Sequence, residues 1–151
     1  MDRYARTYTV RWADCDANGH MRNTAYSEYA TETRVAFLAD QGFGFDRFRE
    51  LAFGPVILRE EIDYLREVHL GDRIEIDLVE VGGSADRSRF KWQHEIVRDD
   101  RKLVARVGVV AGWLDWSSRR LMPPPDALRP VIAVVPRVVD WEELPSRGRR
   151  E

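Results

Sequence analysis

The chain has 151 residues, 44% hydrophobic and 33% charged, which suits one globular domain with a buried core and excludes a disordered chain. Its formal net charge of −2 creates no overall field toward nucleic acid or an anionic membrane. Cys15 is the only cysteine, so no internal disulfide can form, and no run approaches the roughly 18 apolar residues of a membrane helix.

The opening segment, MDRYARTYTV, lacks the apolar run of a secretory signal, and a cytoplasmic location is expected. Residues 7–12, TYTVRW, alternate with Tyr8, Val10 and Trp12 on one face and Thr7, Thr9 and Arg11 on the other, a strand pattern. After ADCDANGHMR the period changes. Tyr26, Tyr29, Ala30, Thr33, Ala36 and Phe37 share one face of a helix of about four to five turns, with Glu28, Glu32 and Arg34 largely outside that stripe. Asn23 or Thr24 can cap its start and Gly42 can close its end.

Residues 43–55 read as a loop or short helix. Four strand-like segments follow: VILREEIDYL, RIEIDLVEV, RSRFKWQHEIV and the run from Leu103 to Trp116, with turn signals at Gly71-Asp72, Gly82-Gly83 and Asp99-Asp100. The last run is apolar on both faces, as in a strand covered by a helix on one side and a partner on the other, and Gly108 and Gly112 leave room for a close neighbour. A strand, a long helix and four consecutive antiparallel strands make an α+β domain with the helix on one sheet face. The segment PVIAVVPRVVDW, beyond three prolines, can add a short strand, and the terminal SRGRRE is expected to fray.

The stretch ADCDANGHMRNTAY, residues 13–26, concentrates the chemistry. DCDANG matches the first half of a helix-loop-helix calcium loop, but the twelfth position is Ala25 where a bidentate glutamate is needed, and a strand precedes it. Asp14, Asp16 and His20 could ligate a transition metal, yet His69 and His94 lie on distant segments without ligand spacing. Cys15 between two acids is a poor thiolate. A carboxylate at a strand-to-helix turn, beside free helix N–H groups, suits acyl transfer, because those amides can hold an oxyanion. The same residues also serve as plain turn and cap residues, so the pattern alone leaves both roles open.

D-x-D-x-x-G-H followed by N-x-x-Y and a long amphipathic helix resembles the acyl-CoA thioesterases of the hotdog fold, the 4-hydroxybenzoyl-CoA thioesterase-like group. GPVILREEIDYLREVHLGDRIEI, RSRFKWQHEIV, the run to LDW and RRLMPPP extend the likeness over most of the chain. The resemblance implies a five-stranded antiparallel sheet wrapped around one long helix, spanning residues 1–130, with 131–151 a partly ordered extension of the same domain. It implies Asp16 as the catalytic carboxylate, Asp14 as a structural residue, and the Asn23 backbone N–H as oxyanion donor. His20 joins the catalytic group and Tyr26 lines the substrate pocket. Relatives often read H-V-N-N where this chain has His20-Met21-Arg22-Asn23.

The implied reaction is metal-independent hydrolysis of acyl-CoA, without a cofactor, in a homodimer or homotetramer whose pocket lies between subunits. Arg87, Arg89 and Lys91 alternate along one strand and are candidates for the CoA phosphates, the other reading being a solvated strand face. Neither nucleic acid nor membrane is expected as a partner. A carrier-protein thioesterase and a non-catalytic acyl-thioester-binding or scaffold domain are the alternatives, and no motif names the acyl group.

Overall fold

A computed structural model describes residues 3–146; of SRGRRE, the segment expected to fray, all but Ser146 lie outside the described residues. Strand β1 (Ala5–Thr9) leads through a single 3-10 turn and a tight loop into α1 (Asn23–Asp40). A short α2 (Phe45–Leu51) precedes β2 (Phe53–Tyr64), β3 (Arg73–Asp77), β4 (Val79–Ser84), β5 (Arg89–Arg98) and β6 (Leu103–Asp115). Helix α3 (Arg129–Ala133) and β7 (Arg137–Leu144) close the described chain.

The long helix forms where its periodicity predicts. Its N-cap position is Arg22, in extended conformation, and Gly42 at φ 84° takes the left-handed geometry that stops it. Ala25, Tyr26, Tyr29, Ala30, Thr33 and Phe37 are buried, and so is Arg34, which helical spacing alone places outside the stripe. The N-terminal half of α1 packs with Val10, Ile74, Ile76, Ile96 and Val107. Its C-terminal half packs with Phe53, Phe90, Trp92, Trp113 and Leu128. Trp12 is a departure: the strand stops at Thr9, and the indole is 79% exposed beyond it.

The fold is α+β with a largely antiparallel sheet, but among the described residues the sheet has seven strands rather than five. In space the strands run β2-β6-β5, and β5 carries β3 along one stretch of its other edge and β4 along the next. β1 lies outside β3, and β7 outside β4. One extra strand arises because RIEIDLVEV breaks at Leu78. The Asp77 carboxylate accepts the Glu95 N–H at 2.7 Å, and the Asp77 carbonyl is taken by His94 Nδ1 at 2.6 Å. A side chain thus replaces a ladder carbonyl and the pairing restarts beyond it.

The other extra strand is β7, which runs parallel to β4 and makes the sheet mixed. Its anchor is Glu80, 1% exposed, whose carboxylate accepts a two-pronged Arg87 bond at 2.8 Å and the Trp141 indole N–H at 3.0 Å, with Arg137 at 3.2 Å. A buried carboxylate needs such compensation, and two of these three partners belong to β7. On β6, Gly112 leaves room for Leu121, whose methyl carbons would lie 2.7 and 2.9 Å from an added Cβ. Part of the outer face of β6 is therefore covered from within the chain.

An added Cβ at Gly82 would stand 2.8 Å from the Glu142 carbonyl oxygen. Gly82→Ala should push β7 off the edge of β4 at a cost of about 1–3 kcal/mol. Hydrogen exchange should then lose protection across β7 while the other strands keep theirs. Unchanged protection in β7 would show that this close approach does not seat the strand.

Candidate active site

Residues 15–21 form a closed loop between β1 and α1. Cys15 pairs with Met21, the Asp16 N–H donates to the His20 carbonyl at 2.9 Å, and the Gly19 N–H donates to the Asp16 carbonyl at 3.1 Å. The Asn18 N–H donates to Asp16 Oδ1 at 2.9 Å. Gly19 sits at φ 80°, where a side chain would be strained, so the glycine is required for the loop to close. The Met21 N–H donates to the Val68 carbonyl at 2.7 Å, and His20 pairs with His69, which pins the loop to the segment after β2.

Asp14 and Asp16, two residues apart, face different surroundings. The Asp14 side chain is 1% exposed and accepts bonds from the Arg11 N–H, the Arg11 guanidinium and the Tyr29 hydroxyl. Burial alone would push its carboxyl up, but these donors outweigh burial and hold it at about 2. Burial, and then the Asp14 charge, push the Tyr29 hydroxyl up to about 12, so it remains a donor. The Asp14 carbonyl accepts the Arg22 N–H at 2.8 Å, one step before α1.

Asp16 instead opens onto a cavity of about 320 Å3 that it shares with His20, Met21, Asn23 and Tyr26 from the loop and helix. Tyr64, Leu65, Arg66 and Glu67 complete the wall. Asp16 Oδ2 lies 3.4 Å from His20 Nδ1, and His20 Nε2 lies 3.6 Å from Glu67 Oε1. The imidazole therefore stands between two carboxylates. Asn23 is the first residue of α1, so its N–H has no carbonyl one turn back within the helix and is free for an acceptor. Its carbonyl accepts the Tyr64 hydroxyl at 3.1 Å.

Tyr26 and Tyr64 meet edge to face with centroids 5.1 Å apart. Burial pushes the Tyr26 hydroxyl up, with the Tyr64, Asp16 and Glu67 charges adding to it, so it too is a donor at neutral pH. Arg22 stays off the cavity: its guanidinium bonds Thr24 and reaches Glu28 at 3.1 Å. Among the described residues no group of three His, Cys, Asp or Glu side chains is arranged to hold a metal ion.

Asp16, His20, Asn23 and Tyr26 thus converge, whereas Arg87, Arg89 and Lys91 lie elsewhere. Along β6, Tyr64 pairs with Ala105 and Arg89 with Gly112, a separation of about 23 Å at strand spacing. Arg87 is engaged by Glu80, and Lys91 reaches Glu142 at 3.1 Å. Sequence spacing misses Tyr64 and Glu67 as cavity residues, because only the folding of β2 beside α1 brings them there. In VILREEIDYL, Tyr64 reads as one more strand residue and carries no further signal.

The chain belongs to the thioesterase-like superfamily, whose model matches residues 10–132. Among solved structures, a Staphylococcus aureus protein in complex with CoA is similar with a TM-score of 0.82 at 21% identity, covering 98% of this chain and 90% of that one. A 1,4-dihydroxy-2-naphthoyl-CoA thioesterase from Synechocystis is similar with a TM-score of 0.79 at 20% identity, covering 88% of this chain and 97% of that one. A Pseudomonas aeruginosa protein reaches 27% identity and a TM-score of 0.73, covering 85% of this chain and 97% of its own. No curated protein matches the chain. Among the described residues no helix is long and apolar enough to cross a membrane.

An unfolded Asp14 titrates near 3.8 and the folded one at about 2. Its contribution to stability is therefore complete above the unfolded value and is lost as pH falls through the folded one. Asp14→Asn should cost about 2 kcal/mol at neutral pH and flatten the acid limb of the stability profile. Denaturant unfolding of both proteins across that range measures this. An acid limb identical to that of the unsubstituted protein would contradict the burial of a charged Asp14.

Proposed function

We propose that the chain is a thioester hydrolase that cleaves acyl-CoA to a free acid and CoA, with Asp16 as its catalytic carboxylate. The observation that carries this reading is the meeting of Asp16, His20 and the first-turn amide of Asn23 around one cavity, in a chain of the thioesterase-like superfamily. Bound CoA in one structural relative and the naphthoyl-CoA activity named for another support a CoA ester as substrate.

A thioester carbonyl directed at the Asn23 N–H gains stabilisation as its oxygen becomes charged. One such donor contributes roughly 3–4 kcal/mol in other acyl-transfer enzymes. Asp16 either takes a proton from attacking water or attacks the carbonyl itself, forming a mixed anhydride that water then opens. In both routes the C–S bond breaks, its electron pair leaves on sulfur, and the CoA thiolate takes up a proton. His20 orients the Asp16 carboxylate, and Tyr26 and Tyr64 form the apolar wall. The route is metal-independent in this proposal because Asp14, the second oxygen ligand a metal would want beside Asp16, is committed to Arg11 and Tyr29.

The proposed assembly is a homodimer or homotetramer joined along β2. The outer edge of that strand pairs with no other described strand, and Ile57, Leu58 and Val35 are exposed beside it. A phosphate-binding role for Arg87, Arg89 and Lys91 then calls for CoA to extend from the cavity of one protomer to the sheet of another.

Asp16→Asn preserves size and the loop hydrogen bond but removes charge and basicity. With acyl-CoA substrates and a thiol reagent, kcat should fall by at least about 100-fold with the melting temperature unchanged, and Asp14→Asn should lose less kcat. Full activity in Asp16→Asn would sink the carboxylate mechanism. Sedimentation should give a dimer or larger species, and a stable monomer with full hydrolysis would overturn the assembly.

A further inference from the structure

The connection between β2 and β3 carries charged side chains that hydrolysis by Asp16 leaves unused. Two main-chain links fix this connection against the loop of Asp16: the Met21 N–H donates to the Val68 carbonyl at 2.7 Å, and His20 pairs with His69. Antiparallel partners place their side chains on one side, and the two imidazoles stand edge to face with centroids 6.4 Å apart. The Glu67 carbonyl accepts Arg98 Nη1 at 2.7 Å, which holds that backbone too.

The Glu67 carboxylate lies between the two rings. Its Oε1 is 3.6 Å from His20 Nε2, and its Oε2 is 3.7 Å from His69 Nε2. The other ring nitrogens also face carboxylates: His20 Nδ1 is 3.4 Å from Asp16 Oδ2, and His69 Nδ1 is 3.8 Å from Asp72 Oδ2. Asp16, His20, Glu67, His69 and Asp72 thus form one alternating row of acids and imidazoles. Backbone amides anchor both ends, since the Asn18 N–H donates to Asp16 Oδ1 at 2.9 Å and the His69 N–H to Asp72 Oδ2 at 2.8 Å.

The row is not a device for stability. The Glu67 and His69 side chains are 67% and 54% exposed, where ion pairs contribute little. Among the described residues Glu67 forms ion pairs with the two imidazoles and with no arginine or lysine. The separations exceed those of direct hydrogen bonds, and contacts of this kind tighten in the reacting complexes of other enzymes. A neutral imidazole has one N–H and one lone pair. Asp16 already accepts an amide N–H, whereas the Glu67 carboxylate has only imidazoles to draw on.

We propose that Glu67 is a positioning residue for hydrolysis that acts through His20, with His69 as its support. The inference rests on the hydrolase reading, in the route where Asp16 takes a proton from attacking water. Glu67 accepts the His20 Nε2–H and His69 holds the second Glu67 oxygen, so Nδ1 presents its lone pair to Asp16. As the water oxygen bonds the thioester carbon, its proton passes to Asp16 and on to Nδ1. The imidazolium then has a carboxylate at each nitrogen. When the C–S bond breaks with its electron pair on sulfur, the proton returns through Asp16 to the thiolate, and His20 is neutral again.

Glu67→Met keeps the side-chain length and removes the acceptor. With benzoyl-CoA and butyryl-CoA and a thiol reagent, kcat should fall at least about 10-fold, as expected when a catalytic imidazole loses the partner that sets its tautomer, with KM and melting temperature unchanged. In a His20→Ala background the same substitution should cost nothing more, because the two residues act as one unit. The 15N shifts of the imidazoles at alkaline pH, where the rings are neutral, need no substrate. They should place the His20 proton on Nε2 in the unsubstituted protein and on Nδ1 in Glu67→Met. Failure to cleave either ester, or full activity in Asp16→Asn, overturns the hydrolase reading and this inference with it. With Asp16→Asn inactive, the inference alone is overturned by full kcat in Glu67→Met, by an equal loss with and without His20, or by a His20 proton that stays on the same nitrogen.

Discussion

The burial of the Asp14 carboxylate at the junction of β1 and α1 constrains the rest of the molecule. A carboxylate with 1% exposure has to be met by donors, and these come from the turn after β1 and from the second turn of the helix, through Arg11 and Tyr29. Its backbone carbonyl holds the Arg22 N–H at the last residue before α1. The loop between them is thereby pinned at both ends, and Asp16, two residues on, faces the cavity. The cavity's carboxylate thus depends for its position on a neighbour that does not line the cavity. Two aspartates that look alike in the sequence differ because one has its charge satisfied inside the fold and the other does not.

A similar polar junction ties the helix to the sheet. Asp77 interrupts a strand by offering its carboxylate to the Glu95 amide and its carbonyl to His94, and His94 passes the connection on to Arg34 of α1. This chain of bonds lies between the two halves of the core, so the break in the sheet and the position of the helix are coupled. Buried polar networks of this kind specify one arrangement when every member is satisfied. Here the guanidinium at its end meets His94 and the Thr31 hydroxyl, and among the described residues the buried indole N–H groups of Trp92 and Trp113 have no acceptor.

Much of this was legible in residue order. Period-3.6 spacing located α1 with its end at Gly42, alternation and strand-like runs between turn signals located β1, β2, β5 and β6 to within a few residues, and the D-x-D-x-x-G-H pattern before a helix pointed to the family. The errors share a cause. Alternation puts Trp12 on a strand face with Tyr8 and Val10, yet it is exposed beyond the strand's end; helical spacing puts Arg34 largely outside the stripe, yet it is buried; RIEIDLVEV reads as one strand and forms two. In each case local periodicity was overridden by a polar group that found its partner far along the chain or at a bend. The parallel pairing of β7 with β4 likewise rests on Glu80 collecting Arg87, Arg137 and Trp141 from separate segments.

By itself the sequence determined the class of fold, the long amphipathic helix, and the loop whose glycine and aspartates carry the motif. Those features rest on interactions over a few residues: helical and strand periodicity, the conformational freedom of Gly19, and side-chain bonds within a turn. Only the tertiary structure decided which aspartate is buried and which faces a cavity, that Tyr64 and Glu67 complete that cavity, and that Arg87 and Lys91 lie at the other end of the sheet. It also decided that a helix arginine lies inside beside a neutral histidine. These follow from contacts between residues tens of positions apart, where desolvation and the pairing of charges set the outcome, and no spacing rule along the chain encodes them.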